Sequence, residues 1–257
     1  MILRRLAEHV RAQNWPAVAV ELAIVVVGVF LGIQASNWNA ARLEREAART
    51  YIERIREDLA ANVTDLRFRI DYYQQVKRHA LAALDAFGRP AESLGEQFLI
   101  DAYQASQITP RTLGRSTYDE ILSVGAINSL SSIETRRRLA NFYLNVQTQE
   151  VLLRYIPPYR ENLRRHMPYS VQVEIKSRCA ERVGTDPDGT PTLSLAEGCV
   201  LDLSSDRASA AVAAILNPEL KLDLTRALSD IDTKLNTFQV VIDRAQMLDG
   251  HLKRSVP

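Results

Sequence analysis

Histidines, cysteines and paired carboxylates are the side chains most often used for catalysis and metal binding, and in this chain they are scattered. The 4 histidines, His9, His79, His166 and His251, lie far apart, and none has a second histidine one helical turn away to make a zinc-binding face. The 2 cysteines, Cys179 and Cys199, lack the Cys-x-x-Cys spacing of zinc ribbons and dithiol redox centres. No H-E-x-x-H, no G-x-S-x-G and no phosphate-cradling glycine loop occurs. Glu57/Asp58 and Asp119/Glu120 are adjacent carboxylates, but helices carry many such pairs, and without a pocket they mean little. The residue types assign no catalytic residue, no cofactor and no metal ligand.

Two clusters remain. Tyr155, Tyr159, Arg160, Arg164, Arg165, His166 and Tyr169 surround a Pro157-Pro158 break. Arginine forks beside aromatic faces suit anionic groups or lipid headgroups, although an exposed basic turn with tyrosines packed on its stem accounts for the same residues. Thr117, Tyr118, Asp119 and Glu120 precede Gly125; a capping box and a glycine stop explain each type but Tyr118. Both are carried forward as candidate interaction surfaces.

What must position these residues starts at the membrane. Between Trp15 and Trp38 the chain reads WPAVAVELAIVVVGVFLGIQASNW, with Glu21 the sole charge from Ala17 to Ile33. As a helix the two indoles stand roughly 35 Å apart, enough to cross a hydrocarbon core of about 30 Å with each ring at headgroup depth. The expectation is a retained transmembrane helix over residues 15–38, too long in its apolar run for an ordinary cleaved signal core. Arg4, Arg5 and Arg11 against Glu8 make residues 1–14 a short cytoplasmic tail. Arg42, Arg45 and Arg49 on the other side balance them, so the outward placement of the C-terminal domain leans on the tolerance of long domains for translocation and on the cysteines. At 100° per residue Glu21, Gly28 and Gly32 share one stripe, and Gly28-x-x-x-Gly32 is a spacing that lets membrane helices approach closely, either another membrane protein or a second copy.

The remainder is balanced in charge, with 32 basic and 31 acidic residues and a net charge of +1. That excludes a nucleic-acid binder driven by phosphate attraction, and 46% hydrophobic residues exclude disorder by composition. Residues 39–257 read as one mainly α domain, an elongated antiparallel helical bundle. From Asn39 to Phe87 no proline or glycine occurs, apolar residues recur every three or four positions, and Arg42/Glu46, Arg49/Glu53 and Arg54/Asp58 form one-turn pairs on the wet face. A short helix is expected over Glu92–Gln107, then one capped at Ser116 or Thr117, then a long one begun by Ser131-x-x-Glu134 and broken near Ile156. Residues 168–204 hold both cysteines, are rich in proline and glycine, and alternate Val171, Val173 and Ile175; they read as a loop or small β-hairpin. Joining Cys179 to Cys199 would staple that excursion in an oxidising compartment. A short alanine-rich helix from Ser204 or Ser205 to Asn217-Pro218 follows. Leu224, Leu228, Ile231, Leu235, Phe238, Ile242 and Ala245 then keep a strict 4-3 spacing, a coiled-coil-like seam to pack antiparallel on the first long helix.

Glu21, the apolar run with Gly28 and Gln34, and Asn37-Trp38-Asn39 resemble the start of a bacterial family of single-span membrane proteins with no established activity. Thr117-Tyr118-Asp119-Glu120-Ile121-Leu122-Ser123-x-Gly125, with Arg137-x-Leu139 and Tyr143, is similar to that family's internal motif; the cysteine-bearing excursion departs from its pattern. The resemblance implies an anchored bacterial inner-membrane protein and no mechanism. The expected function is a non-enzymatic interaction, scaffold or accessory module. The alternatives are a ligand-sensing ectodomain working through a separate signalling partner, and an enzyme whose site assembles only in three dimensions.

Overall fold

A computed structural model describes residues 15–109, 112–130, 132–185 and 191–255. The expected tail 1–14, Pro110 and Ser131 lie outside the described residues. With nothing to stop helix propagation after Gly32, Trp15–Ala86 forms a single helix of 72 residues, α1, about 110 Å long. Its apolar 18-residue window is 0% buried, and it is the one helix, among the described residues, long and apolar enough to cross a membrane. Burial on α1 begins at Ala48 and continues through Ile52, Ile55, Leu59, Leu66, Tyr73, Val76 and Ala80, spacings that keep one face inward.

The rest of the chain folds along that face: α2 (Glu96–Gln104), α3 (Ser116–Ser123), α4 (Ile133–Leu153), α5 (Pro158–His166), α6 (Tyr169–Arg178), strands β1 (Arg182–Thr185) and β2 (Pro191–Ser194), α7 (Ser205–Ile215) and α8 (Pro218–Ser255). The 38-residue α8 runs antiparallel to α1, since Arg56 pairs with Asp249 at 2.7 Å and Lys77 with Asp232 at 2.5 Å. Its 4-3 seam is buried, with Leu235 partly so. Two apolar cores stack along the α1–α8 pair. The lower one, nearer the apolar segment, joins α3 and α4 around Tyr72, Tyr73, Tyr143 and Phe238. The upper one gathers α2, α5, α6 and α7 around Tyr103, Tyr159, Leu163 and Ile175. The chain is thus a mainly α bundle at the end of a long helix, with one small antiparallel hairpin.

Several local expectations change. The alternation of Val171 and Ile175 proves helical: α6 buries Val171, Gln172 and Ile175 on one face and leaves Val173 exposed, because residues four apart stack on a helix. The hairpin lies later, with Arg182 opposite Ser194. The segment expected as one helix over Glu92–Gln107 is a 3-10 turn at Ala91–Ser93 followed by α2. At the start of α4, Ser132 Oγ accepts the Thr135 N–H at 3.0 Å, so the observed cap sits one residue after Ser131. The break at the proline pair stands: α4 ends at Leu153, Pro157 is extended with ψ 140, as a residue before proline must be, and Pro158 opens α5.

Candidate functional site

Thr117 and Tyr118 are buried, whereas Asp119 is exposed and Glu120 partly so. The capping box does not form, because no side chain of α3 caps its own first turn. Instead Asp58 of α1 accepts the Thr117 N–H at 3.2 Å, and Arg54 makes a two-pronged pair with Glu120 at 3.0 and 2.5 Å. The apparent Arg54/Asp58 one-turn pair therefore reaches across to seat α3 on the stalk. The Arg54 guanidinium holds the Glu120 carboxyl below its ordinary range. Asp119 pairs with Arg115. Tyr118 is buried and stacks on Tyr143, ring centroids 4.3 Å apart and 13° from parallel. Gly125 supplies the expected left-handed stop at φ 72.

The arginine–tyrosine cluster also turns inward. Tyr159 is 1% exposed and donates its hydroxyl to Ala102 O at 2.9 Å. Arg160 donates to Ser106 O at 2.5 Å, and Arg164 donates to Ser106 Oγ at 2.9 Å. The Arg164 guanidinium lies 3.5 Å from the centre of the Tyr103 ring, and burial lowers its pKa. These residues close the end of α2 onto α5. Arg165, His166, Tyr155 and Tyr169 remain exposed. The aromatic and cationic types are plain in the sequence; that Ser106 and Gln107, just after α2, take the hydrogen bonds of α5 is not.

Cys179 and Cys199 are joined as expected, with Cα atoms 5.5 Å apart. Neighbouring polar groups pin the same excursion: Gln104 donates to Cys179 O at 2.9 Å, the Glu96 carboxylate accepts the Leu201 and Leu203 N–H groups at 3.1 and 3.2 Å, and Tyr72 donates to Glu181 at 2.5 Å. Burial and that acceptor push the Tyr72 phenol well above its ordinary pKa.

Beside this excursion lies a pairing whose types suggest catalysis. His79 Nδ1 sits 2.7 Å from Asp101 Oδ1, and Gln97 donates to the same oxygen at 3.0 Å. Gln75, Arg78, Glu197 and Gly198 complete a cavity of about 330 Å³. A carboxylate that orients a histidine is half of a general-base arrangement. The other half is missing from the lining, which contains no serine, threonine or cysteine. The sequence hid this pair because 22 residues and a helix turn separate its members. Among the described residues no group of three or more His, Cys, Asp or Glu side chains could hold a metal ion. A larger open groove of about 880 Å³ runs between α1 and α8 past Glu53, Arg56, Arg67 and Asp249, wide and solvent-filled rather than enclosing.

Lys234 is a buried cation inside the bundle, 5% exposed, donating to Tyr155 O at 3.3 Å and standing 5.2 Å from the Tyr73 ring centre. Burial lowers its pKa from the ordinary 10.5, with Asp230 opposing. Between that depressed value and 10.5 the unfolded chain binds more protons than the folded one, so this lysine makes stability rise with pH in that window. Lys234→Met is expected to remove the rise and to stabilise the neutral protein by about 1 kcal/mol. Urea unfolding of wild type and variant across the neutral-to-alkaline range checks both.

Glu21, itself half-buried, shares the apolar part of α1 with the exposed Gly28 and Gly32. A Cβ placed on either glycine meets nothing within 4 Å, so both glycines lie open on the described helix. No family model, curated protein or solved structure matches the chain.

Proposed function

We propose that this chain is a single-pass bacterial inner-membrane protein whose helical bundle acts as a non-enzymatic interaction, scaffold or accessory module. One observation carries the reading: an unbroken helix whose exposed apolar segment continues as the structural spine of a filled two-core bundle. An apolar segment left wholly outside the fold has no partner but lipid or another apolar helix. The resemblance to single-span bacterial proteins agrees with it. The disulfide favours an oxidising, periplasmic space for the bundle and a cytoplasmic N-terminus.

The test is extraction and co-purification. The full chain should resist alkaline carbonate, and gentle solubilisation should bring down a partner protein or a second copy. Release by carbonate would end the anchor reading; purification as a bare monomer at every detergent level would end the scaffold reading.

The glycine stripe supplies the contact within the membrane. Gly28→Ile with Gly32→Ile is expected to abolish helix association in a membrane two-hybrid assay, because the added bulk holds the backbones apart. A Cβ at either position meets nothing of the chain's own fold within 4 Å, and circular dichroism of the variant checks that the bundle is intact, so that loss of signal reports association. An unchanged signal would contradict the stripe's role.

A further inference from the structure

The open groove between α1 and α8 has the outline of a helix flank. Glu53, Glu57, Ala60, Thr64 and Arg67 are exposed along its α1 side, Gln246 and Lys253 along its α8 side. Glu53 to Arg67 covers about 21 Å of α1, far longer than a compact ligand needs, and its middle is walled by the small residues Ala60, Thr64 and Ala245. Three acidic side chains, Glu53, Glu57 and Asp249, and three basic ones, Arg56, Arg67 and Lys253, line it, so it selects neither an anion nor a cation. It begins about 22 Å past Trp38, beyond the headgroup zone, so lipid does not fill it.

The direction of the groove follows from the helix that carries it. α1 is continuous from Trp15 to Ala86, so directions around its axis carry from the membrane into the bundle. At about 100° per residue, Glu53, Glu57 and Thr64 fall within roughly 40° of the mean direction of Gly28 and Gly32. Two copies brought together through those glycines therefore present their grooves to each other. We infer that a second copy of this chain covers the groove, its α1 lying parallel along the mouth under a two-fold axis normal to the membrane; the inference rests on the membrane reading and the glycine contact proposed above.

The charges fit that axis. The Arg56–Asp249 bond sets the level of α8 beside α1, with Lys253 one turn below it. Side chains lean toward the N-terminus of their own helix, so on these antiparallel helices Glu57 leans down and Lys253 leans up to the same level. Arg56 faces its own α8, and Glu57 lies about 100° further round, aimed at the α8 of the copy. The two-fold then sets Glu57 of each copy against Lys253 of the other. The other charges on this face are met without the copy. Arg56 has Asp249, Arg42 has Glu46 at 3.7 Å, and Arg49 stands between Glu46 and Glu53. Arg42 and Arg45 lie about 6 and 11 Å past Trp38, where their side chains reach lipid phosphates, and Arg67 stands exposed at the upper end. Tethering in one bilayer raises the effective concentration of the two copies, so two exposed ion pairs suffice to set the register.

Full-length chains bearing two different tags are co-expressed, solubilised in mild detergent and captured through one tag; the other tag reports the dimer. Glu57→Lys in both copies, or Lys253→Glu in both, should lower the mixed dimer several-fold. Glu57→Lys in one copy with Lys253→Glu in the other should restore it, because each cross-pair again joins opposite charges. Circular dichroism checks that every variant is folded. A short thiol-to-thiol reagent should link Ala60→Cys of one copy to Gln246→Cys of the other, and should link Leu144→Cys, an exposed position on α4, to Gln246→Cys several-fold less. Dimers indifferent to the charge changes, or linked equally from both positions, overturn the groove contact and leave the glycine contact standing. Monomer bound to a different protein overturns the second copy and leaves the scaffold reading standing. Protein released by carbonate fails at the anchor and takes this inference with it.

Discussion

Phe238→Ala is expected to lower the unfolding free energy of the bundle by about 4 kcal/mol, the middle of the range for aromatic truncation in a core. Phe238 is 1% exposed, sits on the α8 seam, and packs 5.8 Å from the Tyr73 ring of α1. Those two helices carry both cores, so a void between them cannot be closed by moving one peripheral helix. The surrounding side chains, Val241, Ile242 and Tyr72, belong to the same cluster and are already buried. Leu222→Ala on the same helix, at a residue 71% exposed, should change stability by less than about 0.5 kcal/mol. Denaturant unfolding in detergent, followed by near-ultraviolet circular dichroism, measures both. An unchanged m-value with a shifted midpoint locates the effect in packing. A loss below about 1 kcal/mol for Phe238→Ala would mean that the seam is not the spine of the bundle.

That seam was legible because its periodicity is long and uninterrupted. Seven apolar residues at 4-3 spacing leave few choices of partner, and α1 offers the matching face from Ala48 to Ala80. The proline pair and Gly125 were legible for a different reason: each acts on its own backbone. Errors arose where a distant group decided the local structure. Val171, Val173 and Ile175 alternate as a strand would, but the Ile175 position is equally one turn from Val171, and the upper core took that face. Thr117 carries a capping residue type, yet Asp58 from another helix caps the turn. In a short segment the pattern of types underdetermines the period, and tertiary contacts choose.

The functional residues were harder to read for the same reason. Tyr159, Arg160 and Arg164 have the composition of an anion site, and only the course of α2 shows that Ser106 and Gln107 already occupy them. The His79–Asp101 pair gave no signal, since no spacing rule links a mid-helix histidine to a residue on the next helix. The exposed glycine stripe was readable throughout, because a helix preserves its own faces.

Replacing Cys179 and Cys199 together by serine is expected to cost about 3 kcal/mol in the chain-entropy model for a bridge spanning 20 residues. The crosslink restricts the unfolded chain, and in the folded chain it holds the end of α6 to the segment entering α7. Part of that hold is duplicated: Glu96 keeps Leu201 and Leu203, and Gln104 keeps the Cys179 carbonyl. The loss should therefore appear first as local opening of the upper core, with faster amide exchange in α6 and α7 while α4 and the lower half of α8 stay protected. Cys179 is 2% exposed, so a free thiol there would also be slow to label until the excursion opens. Alkylation of freshly made protein in intact cells should mark neither cysteine before reduction and both after reduction and unfolding. Full labelling of unfolded protein without a reductant would show two thiols and a reducing compartment, and would withdraw the main support for a periplasmic bundle. Resistance to labelling joined to a midpoint shift on reduction would tie the excursion's stability to the redox state of the space into which the spine projects.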